Sequence, residues 1–526
     1  MVFFRSISLL LPVLSSLLLW LAFPGGGEFW CLLFIALVPL LAVLPGSNAR
    51  TAIIAGLCCG LVHFTLLLYW IVIVLDTYGG VPWFLAVLAL LLLALYMSVY
   101  VALFAVLARY ILLAYPAAVA VWLLPALWVG IDWLRCQLFT GFPWMDIGYG
   151  LFAVPTLIQV ADLVGHYGVS FLIVLVNTCL MLLFRMLAAQ KHPVGKYLVV
   201  LMPVLCLLGA AGLYSTQRLA QLQQREAAPE LPHIRVGIVQ GNIEQDVKWS
   251  PAQQQETVDT YLRLSRSLFA ADSPSLVVWP ETALPFYPLA DNHMQPLKEL
   301  VAGNNFALLS GAPWYEVVDI KTKQLNFYNS ALLLAPDGQF SGKYYKSHLV
   351  PFGEYIPLRK FLPFLAPLVE AVGDFSVGTI EQPLVWQQAK AGVLICFESV
   401  FPEISRQWVL AGANMLVNLT NDAWYGQSSA PHHSLAMAVF RAVEARRGLV
   451  RSANTGISAF VSPTGIITRQ SELFVPWAEA SSVVLLEELT LWARFGYLFA
   501  PFCLLVGLLG GLIAGAGRRK GMILTS

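Results

Sequence analysis

The sequence predicts a multi-pass α-helical membrane domain followed by a layered α/β domain outside the membrane. Three observations carry that prediction. The chain of 526 residues is 58% hydrophobic and only 12% charged, far from the balance of a soluble domain. Apolar stretches long enough to cross a bilayer fill its first part and recur once near its end. From Ile234 onward the pattern changes to short β-branched runs alternating with helix-length amphipathic stretches, the signature of a buried sheet with helices on its faces.

The hydrophobic spans come first. Seven are read at about 7–23, 29–45, 52–75, 82–108, 111–134, 166–188 and 197–214, and an eighth at about 491–514. Arg5 before the first span resembles a signal peptide, but no small-x-small cleavage site follows, so an uncleaved helix is expected. Arg5, Arg50, Arg109, the set Arg185, Lys191 and Lys196, and Arg518, Arg519 and Lys520 fall on alternate connections. The short connections opposite, Gly25–Glu28 and Asp76–Gly80, lack Lys and Arg. By the positive-inside rule both termini are cytoplasmic and the α/β block lies outside. The expected organisation is a membrane domain over 1–215, an outer domain over 232–486, and an eighth transmembrane helix with a cytoplasmic tail over 490–515.

Polar residues within the membrane part are functional candidates by default. His63 is read as hydrogen-bonded between helices, and Asp132 as lying near the interface. The connection over 135–165, with Phe142-Pro143-Trp144, is too long and aromatic for a turn and is read as interfacial structure beside the outer domain. A net charge of +1 gives no reason to expect nucleic acid.

In the outer block, strands are expected over Ile234–Val239, Leu276–Trp279, Phe306–Leu309, Ala331–Leu334, Val393–Ile395, Met415–Leu419 and Ile457–Val461. Helices are expected over Gln253–Ala271, Glu403–Ala411 and Ser434–Arg447. Chemistry-bearing residues sit just after several of these strands, where open α/β sheets gather their sites. Glu281 follows Trp279-Pro280, Cys396 follows Val393–Ile395, and Asn421-Asp422-Ala423-Trp424 follows Met415–Leu419. Pro280 has no amide to extend the ladder, so Glu281 is turned out of the sheet.

Cys396 is the only one of the eight cysteines that lies in the outer block. It has no disulfide partner there, and one cysteine makes a poor metal site. An activated thiol needs a proton acceptor and a nearby positive charge. Glu281 supplies the first. Lys343 or Lys346 supplies the second, because residues three apart on an extended segment face opposite sides and only one can approach Cys396. The alternation leaves the choice between them open. Glu354 and Glu398 offer further carboxylates to fix the lysine. His432-His433 reads as helix-start polar residues, and Asn418-Leu419-Thr420, though a sequon, as the end of a buried strand. No metal is expected.

Trp279-Pro280-Glu281, Lys346-Ser347-His348-Leu349 and Cys396-Phe397-Glu398, in that order, resemble the Glu-Lys-Cys triad of the nitrilase (carbon–nitrogen hydrolase) superfamily. With the helices before and after, and with Gly141-Phe142-Pro143-Trp144, Gln240-Gly241-Asn242, Leu349–Tyr355 and Asn421–Trp424, the whole chain resembles the apolipoprotein N-acyltransferase family. The resemblance implies an αββα sandwich and a bacterial inner-membrane enzyme with its catalytic domain in the periplasm. It implies Glu281 as general base, Lys346 as the oxyanion and orienting lysine, and Cys396 as nucleophile. Glu354 and Glu398 become supporting acids, and Trp249, Phe397, Trp424 and Trp144 substrate-lining residues. The implied donor is a phospholipid, commonly phosphatidylethanolamine, and the implied acceptor a diacylglyceryl apolipoprotein; no cofactor is needed, and a monomer is expected. Position 397 is often tyrosine in that family, and here Phe397 lacks the hydroxyl.

Two other readings differ in what they require. A membrane-tethered amidase would want a small polar pocket, and a transporter would want paired charges within the membrane part. The apolar run Ile356-Pro357-Leu358 to Leu365, rich in proline and aromatics, reads as an interfacial loop over the site through which lipid reaches Cys396.

Overall fold

Long apolar runs become helices wherever the sequence sustains them. The computed structural model describes residues 2–189, 193–245, 250–289, 291–319, 321, 324–355 and 375–519. The chain divides into two units: Met1–Asp76 with Pro82–Leu219 and Arg494–Ser526, and Thr77–Val81 with Ala220–Ala493. Among the described residues, six helices are long and apolar enough to cross a membrane: Ala49–Leu67, Trp83–Ala114, Ala117–Gln137, His166–Ala189, Val194–Glu226 and Gly496–Gly517. The first two pack closely because Gly56 and Gly60 present no side chain, and a Cβ on either would lie 2.6 Å from the Cα of Ala102 or Ser98.

The second span, read as one helix over 29–45, is broken. It consists of a 3-10 turn, Trp30–Phe34, and a short helix, Val38–Val43. A break in apolar surroundings needs replacement partners for the freed backbone groups. Asn177 supplies them, accepting from Leu37 N at 2.8 Å and donating to Leu33 O at 2.8 Å, while Ser15 Oγ accepts from Leu40 N at 2.9 Å.

The 135–165 connection is more than a surface link. It is packed into the first unit, with Trp144, Asp146 and Tyr149 buried. Arg135 pairs with Asp146 and lies 3.4 Å from Asp132, and His166 Nε2 meets Asp146 Oδ2 at 2.8 Å. A buried guanidinium demands such partners, and this demand pulls the connection inward. Asp132 is thus part of a buried ion cluster rather than an isolated interfacial acid. The ring of His63 packs edge-on against Phe64 at 5.0 Å, but its buried Nδ1 has no hydrogen-bond partner among the described residues, contrary to the reading of a hydrogen-bonded histidine.

The second unit is a sandwich of two six-stranded sheets. Its strands are β1 (His233–Gln240), β2 (Leu276–Val278), β3 (Ala307–Asp319), β4 (Gln324–Leu334), β5 (Phe340–Tyr345), β6 (Leu384–Trp386), β7 (Ala389–Ile395), β8 (Met415–Thr420), β9 (Gly448–Ala453), β10 (Ala459–Val461), β11 (Ile467–Gln470) and β12 (Trp477–Val484). The sheet orders are β12-β1-β2-β3-β4-β5 and β11-β10-β9-β8-β7-β6. In each, three parallel strands form the centre, β1-β2-β3 and β7-β8-β9, with antiparallel strands at the edges.

Every residue of β2, β8 and β9 is buried, as expected of central strands covered on both faces. Helices Pro251–Ala271 and Met294–Asn304 cover one sheet through Val258, Tyr261, Leu297 and Val301 packed on Trp279, Trp314 and Leu332. Helices Pro402–Leu410 and Ala430–Ala445 pack on the other through β7 and β9. The inner faces meet where Ser452 Oγ of β9 donates to Val278 O of β2 at 3.2 Å. The layer order is therefore helix, sheet, sheet, helix.

Candidate active site

The site is assembled from the ends of β2, β5, β7 and β8 and from the middle of β4. At the end of β2, Trp279 N still bonds Leu309 O, but Pro280 offers no donor and the chain turns away. Glu281 then crosses directly over Gly311 of β3, where a Cβ would lie 2.6 Å from its Cα; only glycine admits that approach. At the end of β7, Cys396 takes a φ of 52°. That conformation costs a side-chain-bearing residue about 1–3 kcal/mol. It is held by Glu398, whose Oε2 accepts from Ile395 N at 2.7 Å.

Lys346 follows β5 and is 1% exposed. Its backbone is clamped on both sides, N to Asn329 O at 2.9 Å and O from Gly378 N at 2.8 Å. Its Nζ donates to Glu354 Oε1 at 2.9 Å and lies 3.7 Å from Glu281 Oε1. Lys343 points elsewhere, to Glu316 at 2.5 Å on an exposed edge. The alternation that made the two lysines exclusive is thus visible, with Lys346 on the side of Glu281.

Asn329 on β4 joins the two acids, its Nδ2 donating to Glu281 Oε1 at 2.8 Å and to Glu354 Oε1 at 2.9 Å. The other oxygens are also occupied: Asn421 N donates to Glu281 Oε2 at 2.9 Å and Val350 N to Glu354 Oε2 at 2.8 Å. Asn329 did not stand out in the sequence. Its one signal is a polar residue opening the apolar run Ala331–Leu334 of a buried strand.

Glu398 does not bind the lysine, as the sequence suggested. Fully buried, its Oε1 accepts from Tyr344 Oη, Ser347 N and Ser347 Oγ, each at 2.7 Å, and from His348 N at 3.1 Å. It ties the turn after β7 to the turn after β5, and so holds the cysteine and lysine backbones in register. Burial raises its pKa, against the pull of these donors.

Electrostatics separates the roles. Burial pushes the Cys396 thiol up to about 12, with the charge of Glu281 adding to the rise and Lys346 opposing it. A thiol held up in this way becomes a nucleophile only where a base can take its proton. Burial disfavours the Lys346 ammonium, but Glu354, Glu281 and Cys396 outweigh it and hold its pKa above the ordinary value. His348 is driven down to about 4 by burial and then by Lys346, so it is neutral.

Phe397 is buried with its ring 5.1 Å from Phe401. Trp424, half-buried, lies 5.8 Å from the ring of Tyr78. Trp144 belongs to the first unit, packed 4.7 Å from Trp70 and stacked on Phe142. Trp249 and the run 356–365 lie outside the described residues. Behind Asn421, Arg451 is buried and bonds Asp422 Oδ2 at 2.8 Å, fixing the turn after β8. Among the described residues, no group of three His, Cys, Asp or Glu side chains is placed to hold a metal ion.

Such a site is chemically a thiol, a carboxylate base beside it, and a fixed ammonium for a developing oxyanion. Comparison with known proteins places it in context. Residues 15–179 match the apolipoprotein N-acyltransferase N-terminal domain, and residues 235–478 match the carbon-nitrogen hydrolase domain. Apolipoprotein N-acyltransferase of Geobacter metallireducens is 41% identical over 94% of this chain and 92% of its own length. That of Shewanella oneidensis is 30% identical over 96% and 97%. Among solved structures, Saccharomyces cerevisiae Nit3, a member of branch 10 of the nitrilase superfamily, aligns with 49% of this chain and 93% of its own, at 21% identity and a TM-score of 0.38. With both domain matches in order and relatives similar from end to end, this chain belongs to the apolipoprotein N-acyltransferase family.

Proposed function

We propose that this chain transfers an acyl group from a phospholipid, commonly phosphatidylethanolamine, through a Cys396 thioester to the α-amine of a diacylglyceryl-cysteine at the N-terminus of an apolipoprotein. The observation that carries the reading is the placement of Lys346 Nζ 3.7 Å from Glu281 and 2.9 Å from Glu354, beside a thiol whose pKa responds to Glu281 and Lys346.

In the first half-reaction Glu281 takes the thiol proton as the sulfur attacks the donor ester carbonyl. Lys346 faces the oxyanion that forms, where loss of one such donor typically costs about 3–4 kcal/mol of barrier. The ester C–O bond breaks, Glu281 returns the proton to the departing lysophospholipid oxygen, and the thioester remains. In the second half, the lipoprotein amine attacks the thioester, its proton passes to Glu281, and the C–S bond breaks to give the amide. The proton then returns to the thiolate. Glu354, Asn329 and Glu398 act as positioning residues through the bonds described above.

The same reading takes the enzyme as a monomer in the bacterial inner membrane, with 232–486 as the periplasmic catalytic domain. It takes the helix Val2–Ala22 and the broken segment Trp30–Val43 as spans in addition to the six long helices, eight in all, bounding a membrane domain over 1–215 and a last helix over 490–515. Phe397, Trp424, Trp144 and Trp249 are taken as substrate-lining.

The test is mass spectrometry of the protein purified from membranes. An adduct with the mass of a fatty acyl chain, released by hydroxylamine, is expected on the parent and absent from Cys396→Ser and Cys396→Ala. Transfer should fall by at least about four orders of magnitude, as when other enzymes lose their nucleophile. Parental transfer rates in either variant would exclude the thioester route.

A further inference from the structure

The inner face of the first sheet runs on past the active site as an apolar shelf. Across β3 and β4 the register pairs Gly311 with Ala331, Pro313 with Asn329, Tyr315 with Phe327, and Val317 with Leu325. Directly opposed residues share a face, so these eight form one surface. The alternate residues, among them Leu308, Trp314, Leu332 and Leu334, pack under the helix layer, which makes the first set the inner face. At its inner end stand Gly311, against which Glu281 lies, and Asn329, which bonds Glu281 and Glu354.

Beyond that point the face is open among the described residues. Val317 is 54% exposed, Leu325 40% and Phe327 37%. Tyr287, six residues beyond Glu281 along the chain, closes one side, its ring 5.4 Å from Tyr315 and 6.1 Å from Phe327. None of the eight shelf residues is charged. The opposite face of the same hairpin carries Glu316, exposed and paired with Lys343 of β5 at 2.5 Å. One side of the hairpin is built for water and the other is not. The distance from Asn329 to Leu325, four strand residues, is about 13 Å.

We propose that this shelf holds the fatty acyl chain of the phospholipid donor, the chain whose carbonyl becomes bonded to Cys396. The proposal rests on the acyl-transfer reading above. Its occupant is fixed by continuity: the shelf begins at the carboxylates that flank the thiol, and a chain leaving the acyl carbonyl along it passes Asn329 and then meets aromatic and aliphatic side chains with no charge among them. It is two strands wide, a width suited to a single alkyl tail. Tyr287, Val317, Leu325 and Phe327 then determine how strongly the enzyme prefers long chains.

The test measures the rate of hydroxylamine-labile acylation of Cys396 from phosphatidylethanolamines of graded chain length in detergent micelles, for the parent and for Leu325→Gln/Phe327→Gln. These side chains are exposed, and unchanged alkylation of Cys396 by iodoacetamide serves to confirm an intact site. The variant is expected to lose about tenfold in kcat/KM with long-chain donors and to stay within about twofold with the shortest, flattening the chain-length dependence. A phospholipid with a photoactivatable diazirine at the end of its tail should, in the parent, label the peptide containing Leu325 and Phe327. A variant that keeps the full chain-length dependence, or is slowed equally at every length, overturns the shelf, the second result pointing to contact with the bilayer instead. A parent that forms no acyl adduct with any donor overturns the acyl-transfer reading itself, a result distinct from either.

Discussion

Arg135 in one unit and Lys346 in the other are each buried between two carboxylates, and they differ in what surrounds them. In the membrane unit Arg135 pairs with Asp132 and Asp146, and Asp146 is also held by His166. In the outer unit Lys346 sits between Glu354 and Glu281, with Asn329 bridging the acids. Arginine, always charged and forked, suits a permanent clamp; lysine presents a single compact charge that can be aimed. The decisive difference is the neighbour. Beside Lys346 stands a thiol in a left-handed turn, its titration coupled to both charges. A buried ion cluster by itself marks a packing problem that has been solved. It becomes a reaction centre when one of its acids also faces a nucleophile.

Three experiments press on that contrast. The largest effect is expected in the membrane unit. Asp146→Asn leaves Arg135 buried and under-compensated, which typically costs about 3–5 kcal/mol. The thermal unfolding midpoint in detergent should fall sharply, while Cys396 alkylation in the folded fraction stays at the parental rate. An unchanged midpoint with lost acyl transfer would put this cluster in the chemistry and erase the distinction.

Next in size is the lysine pair. Lys346→Ala should slow Cys396 acylation by about 10²–10³, and Lys346→Arg should not restore it, because the fork is larger and differently aimed. Lys343→Ala removes an exposed ion pair and cation–π contacts with Trp314 and Tyr345, and should change the rate by no more than about twofold. A reversed outcome would assign the oxyanion role to the wrong face of the strand.

The smallest effect is the most specific. Removing the charge of Glu281 should lower the thiol pKa, since that charge is one of the groups holding it up near 12. The parent's alkylation rate with iodoacetamide should therefore climb steadily between pH 7 and 10 without a plateau. Glu281→Gln should alkylate a few-fold faster at pH 9 while losing acyl transfer. Identical pH profiles would mean that burial alone holds the thiol protonated.

Legibility differed between the regions for a physical reason. Glu281 and Cys396 stood out because each is a reactive residue just after an apolar strand, where backbone geometry turns side chains out of a sheet, whereas the lysine was legible only as a choice between Lys343 and Lys346. Asn329, Tyr344 and Arg451 did not stand out, because a polar residue inside a strand has no chemical mark until its partner is known. Glu398 was found but given the wrong partner. Its carboxylate satisfies backbone amides at 395, 347 and 348, donors that every residue carries and no sequence pattern singles out. The cluster around Arg135 was missed because its members are divided between two apolar spans, at Asp132 and His166, and the connection between them, at Arg135 and Asp146, and only packing shows that they meet.

The sequence by itself determined that the chain carries helices apolar enough to cross a membrane, that an α/β domain lies between its hydrophobic regions, and that a cysteine, a carboxylate and a lysine are the reactive groups of that domain to weigh. Those follow from composition, periodicity and the scarcity of reactive groups, all local properties. Tertiary structure decided which lysine faces the thiol, which face of the β3–β4 hairpin continues the site, and where an apolar span breaks. Each depends on a partner distant in the chain: Lys346 on Glu281, the shelf on the helix layer beneath it, the break after Phe34 on Asn177. A sequence lists donors and acceptors, but burial, which makes an unmet one costly, is a property of the folded chain alone.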